Sequence, residues 1–438
     1  MGCAGPAVPP LLAGDTAVFA KESSAPAAPV EQWWRGMNDP VLDSLVDKAL
    51  AGNQNLKAIA ARMDAAANYE AAAPFSVGPN MGLSSSVSNR SERVGDADPV
   101  KSRAEGHSFN VQWEVPLFGK GQAQLASAKA QLRQSQRQEE AAQVSLAAAV
   151  VRSYAQLKSA VGKVESAQKT LAAYKEIAEV RTAAVTAGLA PAQDAENART
   201  QVLSAESQLA SLQAQKNQLQ NGLAVLCGTT SLKMLNGLTA QIASVPEIQK
   251  VDPSLLRKRP DVMAAEEAVA VAAAQAGIDR ASLWPQLSLG ASINLNPGTD
   301  TARTLTNVGS MGLSIPLLNW FSLKAQADAS TNYMKASVED YRQTVLSAWE
   351  EAQAAYTDGI AAQKRAQNAN ELQATLEAQA ARAAALEAAG IGSRIDRLNA
   401  EVSRNSQLST ASEEKSQLLQ AWARLQKASF ARVNLTEK

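Results

Sequence analysis

Val115-Pro116-Leu117-Phe118, set against Ile315-Pro316-Leu317-Leu318 at an offset of 200 residues, decides the architecture, because the chain repeats itself. Gly188 with Asp194 six residues later recurs as Gly390 with Asp396, at an offset of 202. Pro74, ahead of an alternating stretch, recurs as Pro285. Each unit reads as helix, strand, strand, very long helix, glycine break, helix.

Upstream of each Pro-Leu pair the residues alternate with period two, as a strand with two unlike faces does. Phe109, Val111, Trp113, Val115 and Leu117 alternate with Asn110, Gln112, Glu114 and Pro116, which predicts a strand over about 107–117. Leu287, Leu289, Ala291, Ile293 and Leu295 alternate with Gln286, Ser288, Gly290, Ser292 and Asn294, a strand over about 286–296. Met311, Leu313, Ile315 and Leu317 predict another over about 309–317. A weaker fourth falls at about 76–89, clearest from Met81 to Asn89. Roughly 9–11 residues suffice for a tilted strand to cross a bilayer. A soluble strand with one wet face alternates in the same way. Four strands cannot close a barrel alone, and lipid forbids an open edge, so a membrane reading requires several chains to pool their strands.

Downstream of each Pro-Leu pair the pattern turns helical. No proline interrupts Gly119 to Ala187, nor about Trp320 to Ala389. At 1.5 Å per residue each is roughly 100 Å of helix. After Pro191 the residues Val202, Ala205, Leu209, Leu212, Lys216, Leu219, Leu223 and Leu226 step by three and four, the seam of a coiled coil. Asp39-Pro40 and Asp252-Pro253 look like helix starts, the aspartate capping and the proline taking the first position. Pro191 and Pro260 also suit a first position, and Gly188 and Gly390 suit C-terminal breaks. Two long hairpins therefore turn near 188–191 and 390–393, distant from the strands.

Composition narrows the function classes. The chain has 438 residues, 46% hydrophobic but only 4% aromatic, with 42 basic and 42 acidic residues interspersed, which excludes a nucleic-acid-binding surface. No apolar run reaches the length of a transmembrane helix, which leaves a β-barrel open. The single histidine, His107, has no partners at metal-ligand spacing, and no phosphate-binding glycine loop is present. The glycines at 119 and 121 read as a strand-to-helix turn. No catalytic residue, metal or cofactor is expected, and the chain does not read as an enzyme. Of the two cysteines, Cys227 lies far from Cys3, and Met1-Gly2-Cys3-Ala4-Gly5 looks like the end of a bacterial lipoprotein signal, followed by a Pro/Ala/Ser-rich spacer to about Pro29.

At this point the sequence resembles the outer-membrane efflux protein (TolC) family, most closely its OprM-like lipoprotein branch serving resistance-nodulation-division multidrug pumps. Trp33-Trp34, Asn38-Asp39-Pro40-Val41-Leu42 with Leu45, and Ala49-Leu50 leading to Asn53, Asn55 and Leu56 are similar to the N-terminal signature of that branch. Arg259-Pro260-Asp261-Val262, Ala265-Glu266, and Ala281 to Trp284-Pro285 resemble its second-repeat signature. Gly188-Leu189 and Gly390-Ile391, each with its later aspartate, resemble the two hairpin-turn motifs. The resemblance runs from about Gln32 to Asn434.

The resemblance implies a homotrimer sharing one twelve-stranded barrel in outer-membrane lipid, four strands per chain, with a long α-helical barrel crossing the periplasm. It implies two partners, a periplasmic adaptor and an inner-membrane resistance-nodulation-division transporter, and an acylated Cys3. The chain then divides into a lipid-anchored extension over 1–31, a first repeat over 32–230, a connecting segment over 231–259, a second repeat over 260–430 and a tail over 431–438. Gly188, Leu189, Gly390 and Ile391 are the expected adaptor contacts. Asp396 is expected in an acidic ring at the periplasmic mouth, and Asp194 in a constricting bond network with Arg394 or Arg397. The family arginine of that network falls here at Gly392, and a second ring aspartate falls at Asn399. Ser393 to Asp396 also has capping-box spacing, so both acids read equally as ordinary residues of helix N-termini. A soluble coiled-coil scaffold would explain the heptads but not the paired strands. The nearest alternative function is the outer-membrane duct of a type I protein secretion system.

Overall fold

A computed structural model describes residues 32–429 except 94, 96–97, 236, 243–244, 249, 251–252 and 298–302. Cys3, the extension over 1–31 and the tail over 431–438 lie outside the described residues. The first repeat consists of α1 (Pro40–Gly52), α2 (Gln54–Ser76), β1 (Asn80–Glu92), β2 (Val100–Val115), α3 (Lys120–Thr186) and α4 (Ala192–Leu226). The second consists of α5 (Pro260–Ala281), β3 (Gln286–Pro297), β4 (Arg303–Ser314), α6 (Trp320–Ala388) and α7 (Arg394–Ser429). Short 3-10 stretches occupy Trp33–Met37, Lys233–Leu235 and Pro253–Lys258.

The repeated Pro-Leu motif is one turn used twice. Leu117 N–H donates to the Val115 carbonyl at 2.8 Å, and Leu317 N–H to the Ile315 carbonyl at 2.9 Å. The chain leaves the strand there and enters helices of 67 and 69 residues. The strands accordingly end at Val115 and Ser314, two to three residues before the expected ends at 117 and 317, because a prolyl nitrogen cannot donate to a ladder. Three strands also extend beyond expectation at the other end. β2 begins at Val100 and β4 at Arg303, where the sequence is polar on both faces and carries no period-two signal. β1 lies at Asn80–Glu92, not 76–89, and Pro74 lies inside the last turn of α2, so its recurrence as Pro285, which directly precedes β3, is not structural.

Helix ends follow local chemistry. Asp39 Oδ1 accepts from the N–H groups of Val41 and Leu42 at 3.1 and 3.3 Å, and Pro40 takes the first position of α1. Pro260 opens α5 as expected, whereas Pro253 opens only a six-residue 3-10 stretch. Pro260 disfavours the helical conformation at Arg259 and so cuts that run short. Asp252 lies outside the described residues. Pro191 is the N-cap of α4, one residue before the expected position, with φ −67° and ψ 149°. Gly188 and Gly390 end α3 and α6 with φ of 72° and 76°. The following Leu189 and Ile391 N–H groups reach back to Ala184 and Leu386, the six-to-one bond that satisfies a helix C-terminus.

Two compact units emerge. The first comprises residues 60–138 and 261–344 and holds one antiparallel sheet in the order β1-β2-β3-β4. Arg133 on α3 bonds Glu267 on α5 at 2.8 Å, and the buried Asp279 accepts from Ser330, Gln275 and Gln326, tying α5 to α6. The second unit comprises residues 32–59, 139–260 and those from 345 onward. Its core packs Trp34, Leu42, Leu45 and Val46 against Tyr154, Leu157, Leu223, Leu419 and Trp422. Trp33 sits edge-on to both Trp34 and Trp422, at 5.7 and 5.3 Å between centroids. Emptying such positions to alanine costs about 2–5 kcal/mol each.

Signature residues acquire physical reasons in this core. Asp39 Oδ2 accepts from the Tyr154 hydroxyl at 2.7 Å and faces Lys158 Nζ at 3.2 Å, and Lys158 also donates to the Gln241 carbonyl at 2.6 Å. Arg259, 3% exposed, bonds the Ala428 carbonyl at 3.1 Å and Glu351 at 2.6 Å. Asn53 donates to the Leu226 carbonyl at 2.9 Å and accepts from Leu56 N–H at 3.0 Å.

Candidate functional site

The register sorts the sheet into two unlike faces. Met81 pairs with Val111 and Val111 with Ala291; Trp113 pairs with Leu289 and Leu289 with Met311. Leu83, Phe109, Val115, Leu287, Ile293, Leu295, Leu305 and Leu313 share that face. Its apolar side chains are exposed on the single chain: Leu83 is 82% exposed, Met311 77% and Leu313 63%. Among the described side chains, charge enters toward the start of β2, where Arg103 meets Glu105 at 2.9 Å, beside the Ser85–His107 bond. At the other end Trp113 Nε1 donates to the Val77 carbonyl at 3.0 Å, and Phe118 stacks on Trp284 at 5.3 Å. The face is thus a hydrocarbon-like band with aromatic rings on one rim.

Apart from Val100, Ala104, Val308 and the charged Arg90, Glu92 and Glu114, the opposite face is made of Ser, Thr, Asn, Gln and Gly. Its hydroxyls turn inward. Ser288 lies across from Gly312 and donates to that glycine's carbonyl at 3.3 Å; Ser310 lies across from Gly290 and does the same at 3.4 Å. A Cβ on Gly290 would stand 2.5 Å from Ser310 Oγ, so glycine is what lets the serine lie flat. Ser84 and Ser108 bond across β1 and β2 at 2.7 Å. The charged side chains described on this face are paired, Glu114 with Lys120 at 2.6 Å and Arg90 with Glu92 at 3.1 Å.

The hairpin turns lie in the second unit. Leu189 and Ile391 are 83% and 77% exposed, apolar knobs beside glycines. Asp194 is in the first turn of α4 and bonds Arg181 of α3 at 2.9 Å. Arg394 donates through Nε to Glu176 of α3 at 2.7 Å. Arg397 donates to the same Glu176 oxygen at 3.0 Å, to Glu401 at 2.6 Å and to Glu387. The hydrogen bond from Arg394, with both guanidinium charges, holds the Glu176 carboxyl below the usual carboxylate range. Within one chain, therefore, the structure brings Arg394 and Arg397 together on Glu176, and pairs Asp194 with its own hairpin. Asp396 is exposed and bonds to no described residue. Ser393 Oγ accepts from Ile395 N–H at 3.2 Å, an N-cap bond to the second helical residue, while the capping-box bonds with Asp396 are not made.

Sequence reasoning missed Glu176, Arg181, Glu387 and Glu401. The last had a signal: Arg397 and Glu401 are four apart on one helix. Glu176 had none, since its partners are 218 and 221 residues away.

Comparison with known proteins gives three consistent results. The family described as outer membrane efflux protein matches residues 45–229 and 253–429. The pyoverdine export outer membrane protein OpmQ of Pseudomonas aeruginosa is 29% identical over 74% of this chain and 71% of its own length. The probable outer membrane lipoprotein SilC of Salmonella typhimurium is 26% identical over 90% of this chain and 87% of its own. In fold, the CmeC outer membrane channel of Campylobacter jejuni superposes with a TM-score of 0.80 over 94% of this chain and 91% of that one, at 19% identity.

Proposed function

The chain belongs to the outer membrane efflux protein family and is an outer-membrane exit duct of an efflux pump; we propose that it works as a homotrimer, passive in itself, docked to a periplasmic adaptor and an inner-membrane resistance-nodulation-division transporter. One observation carries the pooling of strands between copies: the sheet is two-faced and open at both edges, β1 and β4. An open edge in lipid leaves backbone groups unsatisfied at several kcal/mol each. With four antiparallel strands, β1 and β4 run in opposite directions, so β4 of one copy meets β1 of the next in antiparallel fashion. Three copies then close twelve strands, with the apolar face outward in lipid and the Ser/Gly face around water. Phe118, Trp284 and Trp320 suit the aromatic rim of such a band.

The remaining roles belong to the same proposal. Cys3 carries the acyl anchor. Leu189 and Ile391, freed by Gly188 and Gly390, are the contacts offered to the adaptor. Asp396, unpaired among the described residues, faces the axis at the periplasmic mouth, and Asp194 and Arg394 take part in closure.

Membrane fractionation of a Cys3→Ser variant tests the barrel. Insertion comes from the strands and one acyl set adds only anchoring, so the variant is expected to stay in the membrane fraction as a trimer. Complete release into the soluble periplasm overturns the spanning barrel.

A further inference from the structure

The polar face of the sheet is not uniform, and the difference predicts where a passing solute pauses. Over β3 and β4 the hydroxyls of Ser288 and Ser310 are spent on the carbonyls of Gly312 and Gly290. Beside them, over β1 and β2, the side chains are carboxamides. Asn80 is directly across from Gln112, and Asn110 from Gly82. Together with Gln286 and Glu114 they surround a concavity of about 520 Å³. Gly82 makes the room, since a Cβ there would meet nothing within 4 Å.

Hydrogen-bonding capacity in this concavity is unspent. The side chains of Asn80, Gln112 and Gln286 bond to no described residue, and Asn110 uses only one donor, on Ser108 at 3.1 Å. Each carboxamide offers two donors and an acceptor on a neutral group. The one carboxylate, Glu114, is neutralised by Lys120 at 2.6 Å. The wall therefore recognises hydrogen-bonding pattern and not charge, and the self-satisfied serines beside it, Ser288 and Ser310, add little to the hold.

We propose that Asn80, Asn110, Gln112 and Gln286 form a weak binding station inside the duct for neutral solutes dense in hydroxyl or amide groups. The inference rests on the polar face lining the lumen. Conduction needs a site that captures and also releases, and uncharged amides on an exposed wall supply both.

Single-channel recording of the purified trimer with maltohexaose as the probe tests it. Concentration-dependent current interruptions are expected in the native protein. They should become at least tenfold shorter in Gln112→Ser and disappear in Gly82→Leu, which fills the concavity, while Thr306→Ser, on the polar face away from the concavity, leaves them unchanged. No interruptions at any probe concentration, or equal interruptions in all four proteins, overturns the station. Thiol modification separates this from failure of the lumen itself. With Ser288→Cys and Leu289→Cys, a water-soluble charged reagent should lower conductance only in the first. If that holds and maltohexaose still fails to interrupt the current, the lumen stands and the station does not.

Discussion

Arg397 on α7 donates to Glu176 on α3 at 3.0 Å, so the second hairpin is fastened to the first a short way from both turns. Arg394 shares the same oxygen, and Glu387 and Glu401 complete a cluster of two guanidinium groups and three carboxylates. The repeat halves are thus held by charge beside the small apolar cluster of Ala173, Ile177 and Leu398.

Glu176→Gln is expected to loosen this fastening. A partly exposed pair contributes about 0.2–1 kcal/mol, so amide exchange around both turns should accelerate up to about fivefold. The arginines depress the Glu176 carboxyl, so the tie is at full strength above the ordinary glutamate range and is lost as pH falls through the lowered value. Native protein at acid pH should therefore approach the exchange rates of the variant, measured by mass spectrometry.

The second unit depends on a buried charge pair. Burial alone would raise the Asp39 carboxyl, but the Tyr154 hydroxyl and the Lys158 charge outweigh it and leave it below the usual range. Tyr154→Phe should cost about 1–3 kcal/mol by removing one bond. Asp39→Ala should cost about 3–5 kcal/mol, because it strands Lys158, whose side chain is 8% exposed, and removes the α1 cap. Since the folded carboxyl is depressed, this stability is present above the unfolded value and disappears as pH falls. Thermal melts in detergent at neutral and acid pH should converge for native protein and Asp39→Ala.

How much of this was legible follows from which contacts are local. Proline-free helical tracts, Gly188 and Gly390, and the alternation Phe109 to Val115 or Leu287 to Leu295 announce their elements, because each rests on neighbours within a few residues. Strand extensions escaped notice because Lys101 to His107 is polar on both faces and is held in the sheet by pairing with β1. Likewise the Asp39 cap was readable from Pro40, but its bonds to Tyr154 and Lys158 lie more than a hundred residues away. At the turns, Asp194 and Arg394 stood out by position, while Glu176, which holds Arg394, is one glutamate among many in an amphipathic helix.

The two sheet faces should differ in tolerance to charge. Leu289 lies between Trp113 and Met311 on the apolar face, and Ser288 between Glu114 and Gly312 on the polar one. Leu289→Arg should cost about 2–4 kcal/mol if the band sits at the bilayer midplane, and Ser288→Arg much less. Urea titration of refolding into vesicles measures both. Equal costs would mean that the faces are assigned to the wrong sides.

The gate gives the last expectation. Asp396 is exposed and bonds to no described residue, unlike Asp194, which spends its charge on Arg181 at 2.9 Å. Three unpaired carboxylates brought to one axis would repel one another and draw cations. Asp396→Ala should therefore weaken block of the closed channel by divalent cations in planar-bilayer recordings. Asp396→Asn should weaken it equally, since the effect is one of charge. Arg394 sits on Glu176, and Asp194 on Arg181, so removing both Asp194 and Arg394 loosens the two hairpins together. The double variant should raise conductance more than either single one. Conductance and cation block unchanged in all of these variants, with trimers intact, would reduce the two acids to ordinary residues of helix N-termini, which is all that their sequence positions demand.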